Sequence, residues 1–208
     1  MTLEDIAAAE AELSLWYQRH AMELSCLPFG EVNWTYDGDA HVKATTPLKT
    51  IVMGINPGDG NGAKTSGISP SERTWRTRCV KLTGRSPSEI EFSELVSIPT
   101  KKIATLKDAS FTIETALEAS RRTNEAIIAF HKPKVIYQPG FLTGYLTSVP
   151  NLYNLKEKDR RPRANGKGTL LTAYETPGGI PWFRHFAAFG FSKRDMEDIQ
   201  TYVSELGH

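Results

Sequence analysis

The chain has 208 residues, 25 basic and 24 acidic side chains for a net charge of +1, 39% apolar residues and 24% charged ones. That length buries one substantial core, and that composition excludes a disordered, fibrous or disulfide-scaffold protein. Near-neutral charge excludes a molecule-wide electrostatic hold on nucleic acid, so any such contact must come from a local patch.

Cys26 and Cys79 are the two cysteines. They cannot supply the four ligands of an iron–sulfur cluster or a cysteine-rich zinc site, and no metal or cofactor is expected. The start, "MTLEDIAAAEAEL", is acidic and lacks the basic, then apolar, pattern of a signal peptide. No apolar run is long enough to span a membrane. A single domain over 1–208, monomeric and cytoplasmic or nucleoid-associated, is the expectation, with free thiols favoured over a Cys26–Cys79 disulfide.

In chain order, Thr2 and Asp5 form a capping pair, and Ile6, Ala9, Leu13, Trp16 and His20 recur at helical spacing. His20 on that stripe reads as a packing residue. "EVNWTYDGDAHVKA" alternates around Asp37-Gly38, the signal of a hairpin. A strand, Thr50–Gly54, ends in the glycine-rich loop of "KTIVMGINPGDGNG". A second helix is punctuated by Ser69 as N-cap, Pro70 at the first position, Glu72 completing a capping box, and Gly84 past its end. Trp75, Cys79 and Leu82 form its inward stripe. "FSELVSIPT" (92–100) reads as a strand stopped by Pro99. A long helix spans roughly Thr112–His131 with Ile113, Leu117, Ile127 and Phe130 apolar, and leads through Pro133 into the strand "KVIYQ" and Gly140. "TLLTAYET" and "IPWFRHF" read as strands joined through Pro177-Gly178-Gly179. Ser192 and Asp195 cap the last helix, "KRDMEDIQTYVSEL".

Strands alternating with amphipathic helices predict an α/β layer structure around a mostly parallel sheet. Ligands of such sheets lie beyond the carboxyl ends of the strands. "GINPG", "SIPT" and "RHFAAFGFS" are therefore expected to converge on one crevice.

The loop after Gly54 fits neither common glycine-rich template. Gly58 is followed by Ala63-Lys64-Thr65 where a P-loop requires Gly-Lys-Thr, and Gly60-x-Gly62 lacks the following helix start of a dinucleotide fingerprint. A turn requiring positive φ at its glycines is the plain alternative. Asn-Pro-Gly directly after a buried strand is more particular, because Pro57 fixes φ, Asn56 projects from constrained backbone, and Gly58 permits close approach.

"GINPG" resembles the first motif of the mismatch-specific uracil/thymine-DNA glycosylase branch of the uracil-DNA glycosylase superfamily. "FSELVSIPT" is similar to that family's strand ending in Arg-Pro-Thr, and "KPKVIYQPGFLTGYL" to its Lys-Pro-Lys strand, glycine and short helix. The resemblance covers roughly 48–200. It implies a three-layer α/β/α fold on a central, mostly parallel four-stranded sheet, and an enzyme that flips a base from DNA and hydrolyses its N-glycosidic bond. Asn56 matches the asparagine that positions the attacking water. An amide is no general base at neutral pH, so orientation and leaving-group stabilisation carry the chemistry. Backbone around Gly54, Ile55, Pro57 and Gly58 would hold the base and its developing charge.

The second motif departs from the family, whose members carry His-Pro-Ser-Pro or Asn-Pro-Ser-Gly. In "RHFAAFGFS", His185 matches the histidine, and either donates to a base carbonyl or is merely buried at a strand end. Phe189 or Phe191 is either a wedge for the gap left by a flipped base or core packing. Glu94 stands where relatives carry a base-reading asparagine, and an ionised carboxylate accepts hydrogen bonds without donating, which suits an N–H-rich edge better than the O4 carbonyl of uracil. The family's stacking phenylalanine has no counterpart in 59–74, which leaves Trp75 for stacking or for the core.

"KEKDRRPRANGKG" (156–168) carries Lys156, Lys158, Arg160, Arg161, Arg163 and Lys167 against Glu157 and Asp159. It reads as a mobile loop: either a solvated hairpin tip or, with Ser192 and Lys193, a phosphate-binding surface of salt-sensitive affinity. Arg76, Arg78 and Lys81 add charge on the second helix. Two readings compete with the glycosylase: a non-enzymatic nucleic-acid binder on the same fold, and a hydrolase of free nucleosides.

Overall fold

The computed structural model describes residues 1–20, 22, 45–55, 70–96, 113–139, 147–164, 166–185 and 192–206. They form helices α1 (Leu3–Arg19), α2 (Pro70–Thr83), α3 (Ile113–His131), α4 (Val149–Leu152) and α5 (Lys193–Glu205). The strands are β1 (Thr50–Gly54), β2 (Ile90–Glu94), β3 (Val135–Pro139), β4 (Lys156–Pro162), β5 (Thr169–Glu175) and β6 (Pro181–His185). The predicted hairpin over 31–44 and the Ser69 cap lie outside the described residues.

The sheet corrects the four-stranded expectation. It has six strands in the order β2-β1-β3-β6-β5-β4 and is mixed. β2, β1, β3 and β6 run parallel, while β5 and β4 add an antiparallel ribbon to one side. Of the two added strands, β5 is the predicted strand "TLLTAYET" and β4 is the basic segment. Its residues 156–162 pair with β5 instead of forming a loop, with register shifts at Glu157/Asp159 and Arg161/Pro162. Charged side chains at nearly every position disguise it in sequence, yet they suit an exposed sheet edge, where charge discourages pairing with a second chain.

Two apolar layers enclose the sheet. On one face Ile51, Met53, Ile136 and Trp182 meet α1, α3 and α4 through Ile6, Leu13, Leu117, Ile127 and Val149. On the other, Val52, Phe92, Tyr137 and Phe183 meet α2 and α5 through Cys79, Leu82, Ile199 and Val203. The period-2 alternation along each strand makes this division. Each fully buried large side chain contributes about 1.5–3 kcal/mol.

The capping signals are realised at both ends of the chain. Asp5 N donates to Thr2 Oγ1 at 3.3 Å while Thr2 N donates back to Asp5 Oδ2, and Ser192 and Asp195 repeat the arrangement on α5. Gly84 ends α2 at φ +64°, a left-handed conformation that glycine adopts without strain. The predicted strand over 92–100 begins earlier, at Ile90, and ends at Glu94. Leu95 N and Val96 N still bond to the carbonyls of Gly54 and Ile55, each at 2.9 Å. No described helix is long and apolar enough to cross a membrane.

Candidate functional site

The chain passes from β1 outward to β2, then back across β1 to β3. Crossovers of one hand that travel in opposite directions lie on opposite faces. Accordingly α2 covers one face and α3 the other. By the general rule for such sheets, the carboxyl ends of β1 and β3, where the crossovers change face, are where a ligand is expected.

The β6–β5–β4 register shows which side chains reach that end on the α2/α5 face. Phe92, Val52, Tyr137, Phe183, Ala173 and Asp159 form one row across all six strands. Two residues further on, Glu94 pairs with Gly54, and Pro139, His185, Leu171 and Arg161 continue the line. Gly54 and His185 are separated by two strand spacings, about 10 Å.

Gly54 is required here for space. Its φ is not positive, but a Cβ would lie 2.2 Å from Glu94 Oε2 and 2.7 Å from Oε1. The Glu94 carboxylate is folded across β1 into the room a side chain would take. From the opposite face Asn124 of α3 pins this strand end. Its Nδ2 donates to Glu94 O at 2.9 Å and to Tyr153 Oη at 3.1 Å, and its Oδ1 accepts from Ser93 Oγ at 2.7 Å. Asn124 and Tyr153 carry no signal in the sequence alone, because the helix stripe and the strand end that they join are 30 residues apart.

Beneath the carboxylate lies Cys79, whose thiol burial pushes far up, with the Glu94 charge adding to the shift and Arg76 opposing it. It is a core thiol, not a nucleophile. Tyr137 is buried in the adjacent row, and burial raises its phenol to about 12, against a smaller opposing effect of the Arg85 charge. It is therefore a donor at any physiological pH. His185 is fully buried, its ring edge-on to Tyr137 with centroids 6.4 Å apart. Trp75 is half-buried and set edge-on against Phe92 at 5.6 Å, with the Arg76 guanidinium 4.7 Å from the Phe92 centroid. It packs on the core below the Glu94–Gly54 row. Ile55 is half-buried against the α1/α3 core. Asn56, Pro57, Gly58, Phe189 and Phe191 lie outside the described residues.

The basic segment reaches the same end of the sheet, but its charge is largely matched internally. Arg160 pairs with Glu157 at 2.9 Å, Arg161 with Asp159 at 2.8 Å and Lys158 with Glu175 at 3.0 Å. Arg161 also covers the Tyr202 ring, whose hydroxyl donates to Asp159. Arg163 makes two bonds to Asp195, at 3.3 Å through Nε and 2.8 Å through Nη2. Lys167 is exposed in the β4–β5 turn. Ser192 is the α5 cap, and exposed Lys193 stands 3.6 Å from Glu197.

The other two described histidines, His20 and His131, are held by packing and backbone contacts. His20 stacks on Trp16 at 4.3 Å and its Nδ1 bonds Trp16 O, as a packing residue does. His131 sits at the amino end of the sheet. Leu48 N donates to its Nδ1 at 2.9 Å, which leaves the ring proton on Nε2, 3.3 Å from buried Glu91. Neither nitrogen is open to a ligand. On the α1/α3 face, buried Gln138 accepts from Trp182 Nε1 at 3.0 Å while its Nε2 has no partner, and Arg184 beside it has its pKa lowered by burial, partly offset by Tyr174. Among the described residues no group of three or more His, Cys, Asp or Glu side chains is set to hold a metal.

Compared with known proteins, the chain matches no family model and no curated protein.

Proposed function

We propose that the protein is a monofunctional DNA glycosylase of the uracil-DNA glycosylase type, acting in DNA repair on a damaged or mismatched base. The reading is carried by one observation: Glu94, Gly54 and His185 lie in one row, on one face, at the carboxyl end of four parallel strands. It draws further support from the "GINPG" loop, which leaves β1 at the switch point of the sheet.

In this mechanism a base enters between the ends of β1 and β3. Extrusion costs a few kcal/mol and least at a mismatch, which itself selects substrate. Asn56 orients the water that attacks the sugar carbon as the glycosidic bond breaks. The electron pair leaves with the base, and the proton shed by the water passes to solvent or to the departing base. Backbone N–H groups beyond Gly54 stabilise the departing anion, and Glu94 accepts from N–H groups on the base edge. His185 donates to a base carbonyl once the strand end opens to it.

The complete burial of His185 favours one alternative, a non-enzymatic binder on the same fold. A panel of duplexes containing uracil, a thymine mismatch, hypoxanthine or xanthine separates the two. The glycosylase releases free base from at least one and leaves an abasic site. A binder retains the duplex in a salt-dependent manner without release, and turnover of free nucleosides alone would replace both readings with a nucleoside hydrolase.

A further inference from the structure

Arg163, one of six basic residues in the 156–168 segment, has its charge directed inward onto Asp195. Its side chain is 21% exposed and that of its partner Asp195 is 6% exposed, whereas the Arg160–Glu157 and Arg161–Asp159 pairs are 40–58% exposed. Asp195 serves two structures at once. It accepts from Ser192 N at 3.1 Å and Ser192 Oγ at 2.9 Å to close the first turn of α5, and it receives the Arg163 fork. Arg163 is itself fixed by backbone, since its N–H bonds Gly168 O at 3.0 Å and its carbonyl accepts from Gly166 N at 2.8 Å. A second rivet, Tyr202 to Asp159, holds α5 on β4 further along the helix.

We infer that Arg163 is a positioning residue, holding the start of α5 through Asp195 at the end of the sheet where β6 delivers His185, and not a phosphate contact. Three features support this. The planar guanidinium makes a two-point contact that fixes orientation as well as distance. The partner is a buried carboxylate already committed to a helix cap. The β4–β5 turn that carries Arg163 is closed by its own backbone bonds, so the anchor is rigid. The inference rests on the proposed function only in regarding the end of β6 as a binding site; the anchor does not depend on it.

Hydrogen exchange and salt-dependent binding to a short plain duplex test the assignment together. In Arg163→Gln, exchange at the amides of Ser192–Met196 accelerates about tenfold or more, the effect of losing one charged hydrogen-bonded contact. The slope of log affinity against log salt stays at the wild-type value, because no phosphate contact has been removed. Asp195→Asn raises exchange at the same amides, and Arg163→Gln adds little on top of it. Arg163→Lys, which keeps the charge without the fork, remains faster-exchanging than wild type. Unchanged exchange in Arg163→Gln overturns the inference, as does a salt slope that falls by about one. If the wild-type protein ignores duplex altogether, the proposed function fails while the exchange result still decides the role of Arg163.

Discussion

At the amino end of the parallel sheet, Glu91 and His131 face each other at 3.3 Å; at the carboxyl end, Glu94 and His185 share a face but stand apart across β1 and β3. The amino-end histidine is closed by a backbone donor on one nitrogen and a carboxyl on the other. It joins the segment before β1 to β2 and α3. The carboxyl-end glutamate bends over a residue with no side chain, so its room exists only because position 54 is glycine. The lesson is that residue types do not distinguish a strut from a site. Wiring does, and so does the end of the sheet at which the pair stands.

Substitutions break the comparison in different currencies. Asn56→Ala should lower base release by about a thousandfold, the loss expected when one oriented polar group is removed, with the unfolding midpoint nearly unchanged. Single-turnover cleavage and thermal unfolding measure the two. His131→Ala should do the reverse. It strands the Leu48 N–H and opens a cavity, so urea unfolding should show a loss of about 3 kcal/mol with base release retained in the folded protein.

Gly54→Ala forces the Glu94 carboxylate out of its place and should cost about 1–3 kcal/mol by overpacking. In a Glu94→Ala background the same change should cost little, and a double-mutant cycle reads the coupling. Tyr137 sharpens the contrast through pH. Its folded value, raised to about 12, means that its contribution is complete below the ordinary value of 10 and is lost as pH rises from 10 through 12. Tyr137→Phe should flatten that part of the alkaline unfolding curve. Arg160→Gln, removing an exposed pair with Glu157, should change stability by less than about 0.5 kcal/mol.

Local signals in the sequence were strong wherever structure is local. The Thr2–Asp5 and Ser192–Asp195 caps, the stripe Ile6–Ala9–Leu13 and the turn at Pro177-Gly178-Gly179 needed no distant partner. Tyr17, four residues past Leu13, is buried, whereas Trp16 and His20 on the apolar stripe of the sequence are only half-buried. Parallel order was legible from the alternation of strands and helices. The width of the sheet was not, because β4 has neither apolar alternation nor β-branched residues, and its pairing is supplied by β5. Within the site, Gly54 and Glu94 stood out individually as a loop glycine and an unexpected carboxylate. Their contact depends on strand register, as do the Asn124 bracket and the Arg163–Asp195 fork, and register between segments far apart in sequence is a tertiary property.

The most direct test is a nuclear magnetic resonance titration of the protein with a short duplex carrying uracil, a lesion of the proposed class. The account predicts shifts gathered at Gly54, Glu94, Tyr137 and His185, with Leu48, Glu91 and His131 unmoved. Shifts gathered around His131, or spread over the exposed side of β4 with the Gly54–His185 row silent, would contradict it.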